Sequence, residues 1–249
     1  MSALELDRLT WPEIRAELDG GRDTVVVAFG ATEQHGPHLP LGTDAMIGDH
    51  LARLVAERLD AFLAPTVRVG CSRHHLAFAG TLSLADETFH AIVADLVTSL
   101  AGNGFGRIVL LPTHGGNFAP LVAALDQLGP VAGARVDALT DVTALLEIAL
   151  IGEREFGVPL GEGGLHAGEW ETSLILAIAP ELVRMPQAEP GYTGDPAAAI
   201  GALFAGGVEA VAENGVIGDP RQASAAHGER YWAAVVDLVL ERLGDGPEA

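Results

Sequence analysis

Short apolar runs rich in β-branched residues alternate along the chain with longer amphipathic stretches. The short runs predict buried strands at 24–29, 62–69, 107–111 and 135–139. The amphipathic stretches predict helices at 45–59, 86–101, 117–128, 169–179 and 223–243. Strands that alternate with helices form βαβ units, so the predicted fold class is α/β, with a mostly parallel sheet covered on both faces.

Nothing in this pattern divides the chain into separate units. Its 249 residues fit one α/β domain of ordinary size, and no internal repeat is visible. The segment 185–198 is rich in Pro and Gly and predicts a loop, not a linker between domains. Residues 1–249 are therefore predicted to form a single domain.

Polar residues gather directly after the first predicted strand. In open α/β sheets ligands bind at the carboxyl ends of the strands, so a site is expected there. Glu33 and His35 are two residues apart, a spacing that points both side chains the same way in an extended segment. Asp44 follows a turn rich in Gly and Pro that can fold it back beside His35. Carboxylates and imidazoles are the ligands of a divalent transition metal when no thiolate is available.

Two further polar clusters occupy comparable places. His114 follows the third predicted strand and precedes two glycines that let the backbone approach a ligand, and Asn117 is placed to cap the next helix. His166 and Glu169 are three residues apart and can share one face of a helical turn, whereas Glu171 is predicted to point elsewhere. Any one of these residues alone is more often structural than functional. Taken together, the clusters favour a metal site.

Weaker candidates lie outside the three clusters. Ser72 could be a nucleophile, but its surroundings lack the Gly-x-Ser-x-Gly elbow. The loop that carries His75 could line the pocket or equally well lie exposed. His227, near the start of the last helix, is predicted not to be a metal ligand. The residues predicted to contact a substrate are Ser72, His75, Asn117 and Trp170.

The charge of the chain excludes several classes of function. Its formal net charge is −20 at pH 7, and all 14 basic residues are arginine. Such a surface repels nucleic acids and anionic membranes, so neither is expected as a partner. Because the sequence has no lysine, Schiff-base catalysis is excluded.

Cysteine content and hydropathy exclude further kinds of protein. Cys71 is the only cysteine, which excludes an intrachain disulfide and zinc sites built from several cysteines. The first residues lack the basic start and apolar stretch of a signal peptide. No apolar run reaches the roughly 18 residues that a membrane span needs, so a cytoplasmic location is expected.

The polar clusters resemble the motifs of a known family. The segment 30–44, Gly-Ala-Thr-Glu-Gln-His-Gly-Pro-His-Leu-Pro-Leu-Gly-Thr-Asp, resembles the signature of the creatininase family, which comprises the creatinine amidohydrolases and their relatives. The segments 114–117 (His-Gly-Gly-Asn) and 166–173 (His-Ala-Gly-Glu-Trp-Glu-Thr-Ser) match two further family motifs in the expected order. The resemblance covers roughly residues 10–243, and its first motif is long and specific.

This resemblance implies a three-layer α/β/α domain that holds a pair of divalent metal ions, Zn, Mn or Fe. It assigns one metal to Glu33 and His114, the other to His35 and Glu169, and a bridging position to Asp44. It makes His166 the catalytic residue that shuttles a proton near the scissile bond. It also implies a homo-oligomer, with a hexamer as one expected form.

One departure from the pattern shapes the predicted function. Creatininase itself has a pattern similar to His-Tyr-Glu-Asn where this chain has His-Gly-Gly-Asn, at 114–117. Because two glycines replace the tyrosine and the glutamate, the chain is predicted to be another member of the family. The predicted activity is hydrolysis of a carbon–nitrogen bond (amide, cyclic amide or formamide) in a small molecule or short peptide, through water activated by two metals. Two alternatives stay open: hydrolysis of a carbon–carbon bond in a cyclic polyol ketone, and an inactive binding protein of the same fold.

Overall fold

Five parallel strands form the central sheet of the computed structural model, which describes residues 2–246 apart from the side chains of residues 145 and 204. The strands lie in the order β1-β3-β2-β4-β5, and every neighbouring pair is parallel. In chain order they are β1 (Leu4–Glu5), β2 (Thr24–Phe29), β3 (Phe62–Leu63), β4 (Arg107–Pro112) and β5 (Arg135–Ala138). The α/β class with a parallel sheet is confirmed.

Helices cover both faces of this sheet. In chain order they are α1 (Trp11–Asp19), α2 (Thr43–Arg58), α3 (Asp86–Gly102), α4 (Phe118–Leu128), α5 (Thr143–Phe156), α6 (Leu160–Gly163), α7 (Glu169–Ile178), α8 (Pro196–Gly206) and α9 (Ala225–Leu243). Within residues 2–246, no helix is both long and apolar enough to cross a membrane.

Alternate residues of the central strands enter two separate cores. Val26 and Ala28 of β2 pack into a core shared with α2, α5, α7 and α9. Val25 and Val27 pack on the opposite face, in a core shared with α3 and α4. Successive side chains of a strand point to opposite faces, so a strand buried on both sides reads as a continuous apolar run. This arrangement confirms the three layers.

The boundaries differ from the predictions mainly where turn residues interrupt the pattern. The strand predicted at 62–69 is only Phe62–Leu63, and its continuation contacts β2 through a single bridge between Val67 and Phe29. Helix α8 begins at Pro196, inside the segment predicted as a loop, with the Asp195 side chain accepting a hydrogen bond from the Ala197 N–H. Helices α1 and α5 were not predicted. Proline at the first helical position and an aspartate cap are regular helix starts, so α8 had a readable signal.

The sheet order explains why two distant loops meet. Strands β2 and β4 run side by side, from Thr24 opposite Arg107 to Phe29 opposite Pro112. The loops that leave their carboxyl ends therefore begin next to each other. Asn117 holds them together: its side-chain amide donates to the Phe29 and Gly30 carbonyls and accepts from the Cys71 N–H.

Candidate metal centre

The loop after β2 buries the first group of acidic and imidazole side chains. Glu33 and His35 are 0% exposed, and Asp44, in the first turn of α2, is 2% exposed. The His35 Nδ1–H donates to the Glu33 carbonyl at 3.1 Å, which leaves Nε2 facing Asp44 Oδ1 at 3.3 Å. A backbone carbonyl that holds one ring nitrogen of a histidine fixes the other nitrogen as a lone pair for a metal. Glu33, His35 and Asp44 thus meet as predicted.

His114 reaches the same carboxylates from the end of β4. Its Nε2 lies 3.2 Å from the Cys71 carbonyl oxygen, and its Nδ1 lies 3.3 Å from Asp44 Oδ2. A Cβ at Gly116 would lie 2.3 Å from the His114 ring and 2.4 Å from the Cys71 oxygen. The second glycine of the motif therefore makes room for the histidine itself.

His166 enters from the loop before α7. Its Nε2–H donates to the Gln34 carbonyl at 2.7 Å, and its Nδ1 lies 3.8 Å from Glu33 Oε1. The ring is tilted against that of His35, with centroids 4.3 Å apart. The structure thus places His166 at the cluster, as predicted.

The two carboxylates at the start of α7 exchange their predicted places: Glu171 lies at the cluster, and Glu169 points away from it. Glu171 lies 4.0 Å from His35 Nε2, whereas Glu169 turns away to accept hydrogen bonds from donors on α7 and α9. The prediction treated His166 and Glu169 as parts of one helical turn. However, α7 begins only at Glu169, and the preceding Ala167 has a φ of +53°, so helical spacing does not apply across it. Glu171, and not Glu169, is the fourth acidic or imidazole neighbour of His35.

The residues predicted to contact a substrate divide into two pairs. Ser72 directly precedes a short 3₁₀ turn, Arg73–His75, whose last residue reaches the cluster: His75 Nε2 is 3.3 Å from Glu33 Oε1. Asn117 has its side chain committed to three backbone groups, and it does not cap α4 as predicted. Trp170 is 5% exposed, donates its Nε1–H to the Gly164 carbonyl and packs in the core. The structure therefore gives Asn117 and Trp170 structural tasks.

The carboxylates create a place for positive charge. Burial disfavours the charged form of His35, but the negative charges of Asp44, Glu171 and Glu33 raise its pKa to about 9. Burial also raises the pKa of Glu171 to about 7, against the opposing effect of His35. By contrast, burial and the neighbouring His35 hold the pKa of His166 well below its ordinary value. Against the effect of burial, Glu33 and Asp44 likewise raise the pKa of His114, so the carboxylates attract positive charge at both His35 and His114.

The donor set fits divalent metal ions. Among the described residues, both carboxylate oxygens of Glu33, Nε2 of His35 and Oδ2 of Asp44 are buried and lack a hydrogen-bond partner. Buried polar atoms are otherwise almost always paired, since leaving one unpaired costs about 1–3 kcal/mol. Within residues 2–246, three sets of residues bring ligand atoms within 4.8 Å of one another: Glu33, His35 and Asp44; His35, His166 and Glu171; Glu33, His75 and His166.

Sequence reasoning missed two residues of this site. Glu171 was set aside because its direction was predicted from its spacing to His166 along a helix, and His166 lies outside that helix. Gln34 was not considered, although its side chain contacts both His75 and His166. Its position between Glu33 and His35 was the available signal, since a residue between two candidate ligands in a tight loop lies near both.

A three-layer α/β fold with clustered carboxylates and imidazoles at the carboxyl ends of its strands defines an α/β protein whose side chains could hold a metal ion. The family described as creatinine amidohydrolase matches residues 7–243, and the chain therefore belongs to the creatininase family. The family identifies the chain as a hydrolase that acts on carbon–nitrogen bonds.

Individual relatives agree with this membership. The chain is 34% identical over 241 residues to the mycofactocin precursor peptide peptidase of Mycobacterium tuberculosis, covering 92% of this chain and 87% of the relative. It is 30% identical over 186 residues to the creatinine amidohydrolase of Pseudomonas putida, covering 70% and 72%. A solved creatininase structure described with manganese superposes with a TM-score of 0.79 at 26% identity, covering 97% of this chain and 99% of that one.

Proposed function

We propose that this protein hydrolyses an amide carbon–nitrogen bond in a small molecule or short peptide, using two divalent metal ions. The observation that carries the proposal is the group of four buried polar atoms without partners, on Glu33, His35 and Asp44. Burying unpaired carboxylates is costly unless a cation compensates them. The two histidines that flank Asp44 also present fixed lone pairs to the same space.

The contacts of Asp44 suggest how two ions would be shared. Its Oδ1 faces His35 and its Oδ2 faces His114, each at 3.3 Å. Asp44 would therefore contribute to holding both ions. Glu33, which lies 3.3 Å from His114, would complete one set of ligands, and Glu171 beside His35 would complete the other. Imidazole and carboxylate oxygen suit Zn, Mn and Fe alike.

Bound divalent ions would supply a Lewis acid that polarises an amide carbonyl and makes water acidic enough to attack at neutral pH. The chain itself would move the proton. His166 is 8% exposed and directs Nδ1 at the cluster, so it can accept a proton there and donate it to the leaving nitrogen. The carbonyl of Gln34 keeps the ring oriented through both transfers.

The class of substrate follows from the relatives and the charge. The mycobacterial relative is named as a peptide peptidase and the pseudomonad relative as a creatinine amidohydrolase, so both act on amide-type bonds. A net charge of −20 favours a neutral or cationic substrate over a polyanion. Short peptides and small amides are therefore the first substrates to test.

Metal removal tests the proposal most directly. The chain, stripped by chelation and then given Zn²⁺, Mn²⁺ or Fe²⁺, should lose and regain hydrolysis in a panel of short peptides, lactams and formamides. Metal analysis should find about two ions per chain. Full activity without metal would overturn the mechanism, and absence of tightly bound metal would indicate a binding protein. Turnover of cyclic diketones alone would identify carbon–carbon hydrolysis instead.

The role of His166 needs a separate variant. His166→Ala should abolish turnover and leave bound metal near two per chain. His90→Ala is the matched control, because His90 is a half-buried histidine of α3 that contacts Gln127 and none of the clustered residues. Loss of metal in His166→Ala would show that this histidine is a ligand and not the proton carrier.

We also propose that the chain forms homo-oligomers. Large apolar side chains remain exposed at Trp11 (79%), Leu76 (57%) and Leu82 (51%), and exposed apolar surface often marks protein contacts. Light scattering on the purified chain would measure the assembly directly, and a monomer at all concentrations would contradict it.

A further inference from the structure

Four histidines surround the carboxylates, and three of them share one arrangement. His35, His114 and His166 each place a ring nitrogen near a backbone carbonyl oxygen, at 3.1, 3.2 and 2.7 Å. A carbonyl only accepts, so that nitrogen carries the ring proton, and the other nitrogen of a neutral ring keeps its lone pair. His75 is the exception, because its Nδ1 lies 3.1 Å from the side-chain nitrogen of Gln34.

The orientation of the Gln34 carboxamide is fixed by two glycines. Its Oε1 accepts the Gly36 N–H at 2.9 Å, which identifies the oxygen end of the amide. A Cβ at Gly215 would lie 2.0 Å from that oxygen, and this residue has a φ of +79°. Gly215 therefore leaves the space in which the carboxamide lies, and the nitrogen must point towards the histidines.

The protons of this nitrogen can be counted. Three groups lie within hydrogen-bond distance of Gln34 Nε2: His75 Nδ1 at 3.1 Å, His166 Nε2 at 2.9 Å and the Gly215 carbonyl at 3.2 Å. The amide has only two hydrogens. His166 Nε2 already donates to the Gln34 carbonyl, so it has no lone pair to offer. The two hydrogens therefore go to His75 and to Gly215.

The hydrogen bond from the Gln34 amide determines which nitrogen of His75 carries the ring proton. Because its Nδ1 accepts from Gln34, a neutral His75 carries its proton on Nε2, which lies 3.3 Å from Glu33 Oε1. His75 thus faces Glu33 with an N–H and not with a lone pair. A ring in this state cannot ligate a metal through Nε2, but it can hold the carboxylate in place.

We propose that Gln34 is a positioning residue: it fixes His75 as a donor towards Glu33 and leaves Nδ1 of His166 as the free base of the site. The inference rests on the proposed function, since it states how the metal ligand and the proton carrier are held. Partners that orient a metal ligand in this way commonly change metal affinity by about 10–100-fold when removed. It also moves His75 from the predicted substrate contacts to the support of Glu33.

Nitrogen-15 NMR of the full-length, zinc-loaded chain with labelled histidine tests the inference. Protonated and unprotonated ring nitrogens have well-separated shifts, and resonances are assigned by their loss in His75→Ala and His166→Ala. Both rings should carry the proton on Nε2. A proton on Nδ1 of His75, or an unprotonated Nε2 of His166, overturns the proposal without any variant of Gln34.

Zinc affinity supplies the second measurement. Gln34→Leu should weaken zinc binding by about 10–100-fold. Gln127→Leu should not, although the Gln127 amide also contacts a histidine nitrogen, at 3.3 Å on the surface. Unchanged affinity in Gln34→Leu contradicts the proposal. If this variant does not fold, Gly215→Ala displaces the same carboxamide and should give the same weakening.

The two proposals fail in different ways. If the wild-type chain binds no zinc and hydrolyses no amide, the proposed function fails, while the ring protons of His75 and His166 can still be read in the metal-free chain. If the chain is an active zinc hydrolase with the His75 proton on Nδ1, only the role of Gln34 fails.

Discussion

Two glutamates in this molecule have the same burial and opposite surroundings. Glu33 and Glu169 are both 0% exposed. Both carboxylate oxygens of Glu33 lack a hydrogen bond among the described residues. Glu169 accepts from the Ser173 hydroxyl at 2.7 Å, from His227 Nδ1 at 2.8 Å and from the Tyr231 hydroxyl at 2.6 Å.

The difference separates a structural carboxylate from one built for a ligand. The donors of Glu169 come from α7 and α9, so the charge ties these two helices together and needs nothing further. Glu33 has a comparable desolvation cost, but the ring nitrogens of His75 and His114 face its oxygens only at 3.3 Å, outside hydrogen-bond geometry. Sequence motifs alone could not distinguish the two glutamates, because both lie beside histidines in family segments. Their hydrogen-bond partners do distinguish them.

The largest expected effect is that of Glu33→Gln on catalysis. Loss of a carboxylate that is proposed to bind metal should lower kcat/KM by roughly 10³-fold or more, because several kcal/mol of transition-state stabilisation disappear. The unfolding free energy of the metal-free chain should fall little, since glutamine keeps an acceptor towards His75 and His114, whose ring nitrogens lie 3.3 Å from the carboxylate oxygens. Activity assays and denaturant unfolding measure the two effects. Glu229→Gln, on the exposed face of α9, is the matched control. A marked loss of metal-free stability in Glu33→Gln would contradict the comparison.

Metal addition should stabilise the chain through Glu33 and not through Glu169. A free metal concentration of 100 times Kd should raise the unfolding free energy by about 2.7 kcal/mol, because only the folded state binds. Thermal melts with and without Zn²⁺ would show the shift in wild type and in Glu169→Gln. Glu33→Gln should show little shift at the same concentration. An equal shift in both variants would mean that the metal lies elsewhere.

Glu169→Gln should act on stability instead. An amide cannot replace the carboxylate towards all three donors, and hydrogen bonds to a charged group contribute about 1.5–3 kcal/mol each. We expect the unfolding free energy to fall by about 2–3 kcal/mol, with bound metal retained. Glu171→Gln is the informative partner, two residues along the same helix, because it should reduce metal binding. If Glu169→Gln loses metal as completely as Glu33→Gln, the original assignment of Glu169 as a ligand is restored.

The sequence predicted the frame of the site better than its details. The strands β2 and β4 and the loops after them followed from apolar runs and turn residues, which are local signals. Glu33, His35, Asp44 and His114 were therefore placed together correctly. The position of Glu171 depends on where α7 begins, and a left-handed Ala167 just before it carries no sequence signature. The Asn117 side chain donates hydrogen bonds to the carbonyls of Phe29 and Gly30, 88 and 87 residues away, and no local sequence pattern specifies such distant partners.

The smallest expected effect concerns one donor of Glu169. The Tyr231 hydroxyl is buried against Gly152 of α5, where a Cβ would lie 2.3 Å from the oxygen. Burial, together with the hydrogen bond to Glu169, raises the pKa of Tyr231 above its ordinary value, so the hydroxyl remains protonated and donates. Tyr231→Phe should lower the unfolding free energy by about 1–2 kcal/mol and leave metal content unchanged.

The other tyrosine of the chain provides the control for this variant. Tyr192 donates to the Asp195 carbonyl at 3.3 Å in an exposed position, so Tyr192→Phe removes the same hydroxyl from a solvated hydrogen bond. Denaturant unfolding should show a loss below about 0.5 kcal/mol there. Equal losses in the two variants would show that the hydroxyl of Tyr231 gains nothing from its buried carboxylate partner. The network around Glu169 would then not compensate its charge, and the contrast with Glu33 would lose its physical basis.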